Sequence, residues 1–193
     1  MILSASCKDD PQPIGNGTQQ ESPKKENGIV TKVVVDSLPN IGLLVFDGVL
    51  TTEVTASMDV FAKLSKDGKQ LFNVFTVAES KEPFRSEEGL AMIPDFTYDT
   101  TPELDVLFVP SGNDMHGQVN NPKTLDFIRA QNAHTEYTVS NCAGAQLIGA
   151  SGIAKGKRIV TYIGGGRELQ ETYPDLKVQD DLATNFVWGL FDY

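Results

Sequence analysis

The chain alternates between short continuous apolar runs and longer stretches in which the apolar residues keep helical spacing. Continuous runs bounded by Pro, Gly, Asn or Asp predict strands that are buried on both faces. These predicted strands cover residues 41–46, 71–78, 90–93, 105–109 and 158–161, with a further β-branched run at 138–139. Helical spacing predicts helices over residues 53–64, 123–133 and 167–173, and one more that begins just after residue 142.

The order of these elements predicts the fold class. Buried strands that alternate with helices form a mostly parallel sheet covered on both faces, so we expect an α/β protein. In such sheets the functional site lies at the carboxyl ends of the strands. The loops that carry Glu53, Gly112 with Asn113, and Cys142 with Ala143 each follow a strand end, and we expect them to converge.

The first 38 residues differ in composition from the rest of the chain. They show almost no apolar periodicity before Ile29, and residues 11–27 are rich in Pro, Gly, Asn, Gln, Ser and charged side chains. Such a segment cannot bury enough surface to offset the loss of chain entropy on folding. The sequence therefore predicts a disordered tether over residues 1–38 and one domain over residues 39–193.

The residues around Cys7 resemble the end of a bacterial lipoprotein signal, because small residues precede a cysteine that a charged linker follows. Six residues before Cys7 are too few for a complete signal, and Ser4 stands where such signals usually carry Leu. Two interpretations stay open. A true start upstream of Met1 predicts a lipid on Cys7 as the membrane contact and a location in the cell envelope, whereas an ordinary tail predicts a cytoplasmic protein.

Acidic residues dominate the charge, since 26 Asp and Glu oppose 16 Lys and Arg and give a net charge of −10. Residues 1–38 hold four Lys and five acids, which leaves −9 on residues 39–193. Phosphate backbones would repel so acidic a surface, so no nucleic acid partner is expected. The sequence contains no spacing typical of metal ligands, phosphate loops or nucleotide fingerprints, so we expect neither a metal nor another cofactor.

The strongest chemical signal lies in residues 137–148. A β-branched run stops at Ser140, and Cys142 is followed at once by small residues and an apolar helical pattern, which is typical of a strand, a sharp turn and a buried helix. Such a helix directs unpaired N–H groups at the sulfur and favours the thiolate. The other cysteine, Cys7, is remote in sequence, so no disulfide is expected, and Cys142 is the predicted nucleophile.

Glu53 is the candidate partner of Cys142. If the two side chains meet, a protonated Glu53 would donate a hydrogen bond to the thiolate. The backbone N–H groups of Gly112 and Ala143 are candidates for an oxyanion hole, and Asn113 is a candidate binding residue beside them. The alternatives are that Glu53 is only a first-turn acid favoured by the helix dipole and that Gly112 is a plain turn residue.

Three motifs resemble the ThiJ/PfpI superfamily, also called DJ-one, and in particular its isonitrile hydratase-like branch. They are residues 43–61, residues 105–113 and residues 140–161, within a resemblance that runs from about residue 40 to about residue 182. The resemblance implies a flavodoxin-like three-layer sandwich similar to class I glutamine amidotransferases, and frequent homodimers. It also implies that Cys142 is the nucleophile, Glu53 the acid, and Gly112 and Ala143 the donors of the oxyanion hole.

The chain departs from this family at several positions. Hydrolases and glyoxalases of the family usually place a histidine where this chain has Tyr162. A tyrosine that titrates near about pH 10 is a poor general base at neutral pH, so a Cys–His dyad at that position is excluded. Tyr162 and His116 remain as further candidate site residues, although His116 is equally explained as a solvated loop residue, and His134 at the end of a helix is predicted to be structural.

The end of the sequence is a further departure. Residues 185–193 are apolar and stop where the family usually continues into another strand and a closing helix. We therefore expect C-terminal elements of the fold to be missing. The apolar surface left exposed predicts association of the chain.

Three functions stay open from the sequence. The first is a cysteine-dependent hydratase or hydrolase of a small electrophilic carbon compound, in which Cys142 attacks and Glu53 shuttles a proton. Isonitrile hydratases usually carry Asp where Glu53 stands and Thr where Ala143 stands, so the substrate stays open. The second is a redox-sensing or ligand-binding module with a role in oxidative stress, in which Cys142 is oxidised. The third is an interaction protein whose site is vestigial.

Overall fold

The structure is a computed structural model that describes residues 32–179 in full and, outside them, the backbone of three two-residue strands. Its strands are β1 (Lys25–Glu26), β2 (Ile29–Val30), β3 (Asn40–Leu44), β4 (Asn73–Ala78), β5 (Phe84–Arg85), β6 (Ala91–Met92), β7 (Phe96–Thr97), β8 (Val106–Val109), β9 (Tyr137–Asn141), β10 (Arg158–Ile159), β11 (Lys177–Val178) and β12 (Phe186–Val187). Its helices are α1 (Thr51–Phe61), α2 (Met115–Val119), α3 (Pro122–Asn132), α4 (Gly144–Ser151) and α5 (Gly166–Thr172).

Six strands form the central sheet in the order β12-β9-β8-β3-β4-β7. Neighbouring strands are parallel from β9 to β7, and β12 is antiparallel to β9. The residues of β4 are all buried, as are those of β3 after Asn40, which is why both segments are continuous apolar runs in the sequence. The predicted α/β fold with a mostly parallel sheet, a flavodoxin-like sandwich, is confirmed.

The connections of the sheet place helices on both of its faces. From β3 the chain moves in one direction through α1 to β4, and from β8 it moves in the other direction through α2 and α3 to β9. Because crossovers between parallel strands are right-handed, these two connections lie on opposite faces. The α4 helix packs against α2 and α3, so that face is covered by three helices.

Two parts of the sheet differ from the sequence prediction. The predicted strand at 158–161 is only β10, which pairs with β11 in a separate parallel pair outside the central sheet. The chain leaves β10 after Ile159, and the Thr161 hydroxyl turns towards the end of β9 instead. The sheet also gains an edge strand that the apolar pattern did not predict, because β7 is only two residues long and pairs with the end of β4.

Two further elements also depart from the predicted pattern. The predicted strand at 90–93 is reduced to β6, which forms an antiparallel hairpin with β5. The short helix α2 was not predicted, since its five residues are too few for a periodic signal and include Gly117.

Several predictions fall on residues outside those described. Cys7 lies there, as does most of the predicted tether, so the lipid on Cys7 and the domain boundary at residue 39 stay predictions. The same holds for residues 188–193 and for the association predicted from the C-terminal apolar residues. Within the part of the chain that is described, no helix has the length and apolar character needed to cross a membrane.

Candidate active site

Cys142 occupies a strained turn between β9 and α4. Its φ is 51°, and within the described residues it is the one residue other than glycine with a positive φ. A side chain in this left-handed region costs about 1–2 kcal/mol, which is why the conformation marks functional turns. The backbone therefore has the geometry of a nucleophile elbow, with the half-buried Cys142 side chain at its tip.

Contacts from two neighbouring segments hold the elbow. A Cβ atom on Gly144, the first residue of α4, would lie 2.3 Å from the carbonyl oxygen of Val109, so only glycine lets the helix start this close to the end of β8. From the other side, the Thr161 hydroxyl donates a hydrogen bond of 2.9 Å to the carbonyl of Cys142. The strained turn is thus fixed by packing as well as by its own sequence.

Glu53 lies in the first turn of α1 and points its carboxyl group at the end of β8. The side chain is 9% exposed. Its Oε2 accepts a hydrogen bond of 2.6 Å from the backbone N–H of Ser111, and its Oε1 accepts one of 2.8 Å from the Ser111 hydroxyl. Glu53 is therefore a first-turn acid of α1 whose carboxyl group is also held by the turn after β8.

The environment of Glu53 changes its acidity. Burial raises the pKa of this carboxyl above its ordinary value of 4.5, because removal from water disfavours the charged form. Hydrogen bonds from the backbone and side chain of Ser111 oppose this rise, as do smaller contributions from the side chains of Asn141 and Cys142. The partners of the carboxyl thus come from the ends of both β8 and β9.

The predicted oxyanion donors lie in the turns that follow these two strands. Gly112 forms an antiparallel bridge with Val49, and a Cβ atom on it would lie 2.6 Å from the carbonyl oxygen of Gly48. Ala143 precedes α4 directly. Among the described residues, no protein acceptor is paired with the N–H of Gly112 or of Ala143. Both groups therefore remain available to an anion.

The remaining candidates have contacts of other kinds. Asn113 donates its N–H to the carbonyl of Gly48, and its exposed side chain lies against Gly48. His116 is exposed on α2, where its ring and carbonyl contact the side chain of Asn120. The Tyr162 ring packs over the backbone of Gly165. The contacts found in this part of the structure do not link these three residues to Glu53.

His134 follows α3 on an exposed turn, where its N–H donates to the carbonyl of Gln131. It takes no part in the contacts around Glu53. Over the described residues, no group of three or more His, Cys, Asp or Glu side chains is placed to hold a metal ion.

Two residues of the site were not predicted from the sequence. Ser111 sits between a proline and a glycine, and nothing in the local pattern distinguishes it from an ordinary turn residue. Asn141 directly precedes the cysteine and could be assigned only as the end of a strand. Both act through contacts with Glu53, which is 58 positions before Ser111, and such contacts have no local signal.

A cysteine on a strained strand-to-helix elbow, at the carboxyl edge of a parallel sheet that also carries a buried glutamate, defines an α/β protein of the nucleophile-elbow class. A model of the DJ-1/PfpI family matches residues 39–185. The chain belongs to this family, so the resemblance inferred from the three motifs is confirmed.

Comparison with individual proteins gives relatives of different lengths. Isonitrile hydratase of Pseudomonas putida is 36% identical over 122 residues, which are 63% of this chain and 51% of that protein. The crystal structure of a ThiJ/PfpI family protein from Pseudomonas syringae is 30% identical with a TM-score of 0.58, over 65% of this chain and 50% of that one. The chain thus spans about half the length of both.

More distant structures share the fold alone. Drosophila melanogaster DJ-1beta matches with a TM-score of 0.62 at 16% identity, over 78% of this chain and 80% of that one.

Proposed function

We propose that this chain is a cysteine-dependent hydratase-like domain that acts on a small electrophilic carbon compound through Cys142 and Glu53. The observation that carries the proposal is the buried Glu53 carboxyl, which the turn after β8 holds and whose pKa is raised by burial and lowered slightly by the side chain of Cys142 at the elbow. A carboxyl whose pKa burial raises holds its proton to a higher pH than an exposed glutamate does, which suits it to accept a proton and pass it on. The 36% identity to an isonitrile hydratase supports an isonitrile as the first substrate to test.

In the proposed first step, the Cys142 thiolate forms a bond to the terminal carbon of the isonitrile. The same carbon accepts a proton from Glu53, which becomes a carboxylate. The product is a thioimidate, in which one carbon is bound to sulfur, hydrogen and nitrogen. The strained turn supports this step because it presents the sulfur at the tip of the elbow, away from its own backbone.

In the proposed second step, water adds to this carbon. The Glu53 carboxylate takes one water proton and delivers it to the nitrogen, and the hydroxyl forms the new carbon–oxygen bond. When the tetrahedral intermediate collapses, the hydroxyl proton returns to Glu53 and sulfur leaves as thiolate. The net result is a formamide, and Cys142 and Glu53 end in the states in which they began.

Negative charge develops on the oxygen during that collapse. The N–H groups of Gly112 and Ala143 are the proposed donors to it, since both are free of protein acceptors within the described residues. Donors of this kind act before the reaction begins and need no rearrangement. Tyr162 replaces the family histidine, so the proposal gives all proton transfers to Glu53.

The proposal is tested by incubating the full chain with a small isonitrile and following both formamide release and the mass of the intact protein. The unchanged chain and Cys7→Ser should form product, because the second variant keeps Cys142 as its one cysteine. Cys142→Ser should form neither adduct nor product. Glu53→Gln should lower kcat by about 100-fold, the loss expected when a general acid–base group is removed.

Absence of both adduct and formamide in the unchanged chain would overturn the proposal. If peroxide then oxidises Cys142 selectively, the redox-sensing alternative is favoured, because the same elbow would hold an oxidised sulfur. If Cys142 resists both reagents, the site is vestigial.

A further inference from the structure

Ser111 contacts both oxygens of the Glu53 carboxyl. Its backbone N–H lies 2.6 Å from Oε2 and its hydroxyl oxygen lies 2.8 Å from Oε1. Ser111 is 1% exposed, so water does not compete for either bond. Ser111 therefore binds both oxygens of the carboxyl group, one through its backbone N–H and the other through its hydroxyl.

The two donors respond differently when Glu53 gains a proton. A backbone N–H can only donate, so the lone pair of Oε2 that faces it has to stay unprotonated. A serine hydroxyl can donate or accept. A proton on Oε1 is therefore accommodated by rotation of the hydroxyl, which then accepts, and neither hydrogen bond is lost.

We propose that the Ser111 hydroxyl is a positioning group that holds Oε1 of Glu53 and changes from donor to acceptor as the proton moves between Glu53 and Cys142. This inference deepens the proposed function and rests on it, because a proton shuttle needs a carboxyl that is equally well held in both protonation states. The backbone N–H fixes the orientation of the group, and the hydroxyl adjusts to its charge.

The hydroxyl is important because hydrogen bonds, and no ion pair among the described residues, act on the Glu53 carboxyl. In the described part of the chain, Ser111 hydrogen-bonds both oxygens of this carboxyl, and the side chains of Asn141 and Cys142 contribute smaller effects that lower its pKa. Glu88 bonds to Thr51 at the start of the same helix and is exposed. No neighbouring cation acts on Glu53 among these contacts, so the carboxylate is stabilised by hydrogen bonds instead of by an ion pair.

Removal of the hydroxyl should favour the neutral form of Glu53, since a neutral acid loses less than a carboxylate when a donor disappears. The test is to follow the Glu53 carboxyl by carbon-13 NMR in the full chain, with Glu53→Gln to assign the signal. Ser111→Ala should move the titration of Glu53 to higher pH. Ser111→Thr, which keeps the hydroxyl, should return it towards that of the unchanged chain.

A second readout is the rate at which iodoacetamide alkylates Cys142 as a function of pH. With a less stable Glu53 carboxylate, the shared proton moves to Glu53, so Ser111→Ala should raise the rate at mildly acidic pH by on the order of tenfold. The plateau at high pH should stay the same. A general loosening of the structure would instead raise the rate at every pH by one factor.

Ser151→Ala is the matched control, because it removes another buried serine hydroxyl, one that bonds to the carbonyl of Ile148 on α4. It should leave both pH profiles unchanged. If Ser111→Ala does not fold, Ser111→Gly removes the same hydroxyl. A folded variant without the hydroxyl but with an unchanged Glu53 titration would overturn the inference.

The carboxyl titration needs no turnover, so it separates the two proposals. A shifted Glu53 titration without formamide production would retain the role of Ser111 and reject the hydratase. Formamide production with an unshifted Glu53 titration would retain the hydratase and reject the role of Ser111.

Discussion

The two turns that build the candidate site are made in different ways. The turn after β9 is defined by its own backbone, because Cys142 has a positive φ and Gly144 has no room for a side chain. The turn after β8 is defined by a partner that is distant in sequence, because Ser111 in this turn binds the carboxyl of Glu53, which belongs to α1. In the proposed function, the first turn presents the nucleophile and the second holds the acid.

This difference decides what each turn tolerates. A turn with a fixed backbone is sensitive to the size of its residues, since interiors near it are closely packed. A turn that holds a side chain is sensitive to hydrogen bonding and pH, because its function depends on donors and acceptors. We therefore expect substitutions in the turn after β9 to act through packing, and substitutions in the turn after β8 to act through hydrogen bonding and pH.

The largest effect is expected for Gly144→Ala. The new Cβ atom would lie 2.3 Å from the carbonyl oxygen of Val109, a backbone atom that cannot move aside without distorting β8. Overpacking of this kind costs about 3 kcal/mol of the free energy of unfolding. Urea denaturation followed by circular dichroism measures the loss.

Gly152→Ala, at the other end of α4, is the matched control. Its φ is +78° and nothing lies within 4 Å of the added Cβ atom, so backbone strain alone should lower the free energy of unfolding of this variant. We expect a loss of about 1 kcal/mol. Equal losses at the two positions would contradict the view that close packing, not conformation, requires glycine at the start of this helix.

A smaller effect of the opposite sign is expected for Cys142→Gly. Glycine adopts a φ of 51° without strain, so the variant should gain about 1 kcal/mol in the free energy of unfolding while losing the thiol. Cys142→Ala keeps the strained Cβ atom and should show no comparable gain. If both variants have the same stability in urea, the elbow stores no strain.

Much of the fold could be predicted from the sequence, because β3, β4 and β8 are buried on both faces and therefore continuous in their apolar character. The elbow could be predicted for a similar reason, since its small residues follow the cysteine directly. Both features are local, and a local pattern is what a single sequence contains.

The parts that could not be predicted depend on contacts between distant residues. The β10 strand pairs with β11 through backbone hydrogen bonds, one of them from the N–H of Lys177 to the carbonyl of Lys157, and no spacing in the sequence indicates that partner. Ser111 likewise gains its role only when Glu53 of α1 reaches the turn after β8. Position alone predicted Glu53 as a first-turn acid, which it is, but its burial against Ser111 could not be predicted from position.

The smallest effect concerns the pH dependence of stability in Glu53→Gln. Burial raises the pKa of Glu53 in the folded state above its unfolded value of 4.5, so over that interval the folded chain binds more protons than the unfolded one. Its contribution to stability is therefore full below the unfolded value and is lost as pH rises through the folded one. Glutamine is neutral throughout, so Glu53→Gln should gain stability relative to the unchanged chain as pH rises above the unfolded value of 4.5.

Glu88→Gln provides a comparison of opposite sign at the start of the same helix. Hydrogen bonds from the hydroxyl and N–H of Thr51 lower the pKa of Glu88, so its contribution is present above the unfolded value and is lost as pH falls through the folded one. Relative to the unchanged chain, Glu88→Gln should therefore lose stability as pH rises from the folded pKa of Glu88 towards the unfolded value, whereas Glu53→Gln gains stability above that value. Urea midpoints of the three proteins, measured below and above the unfolded value of 4.5, give both slopes. Slopes of the same sign would mean that burial and hydrogen bonding do not distinguish the two carboxyls, and that Glu53 has no raised affinity for the proton it is proposed to carry.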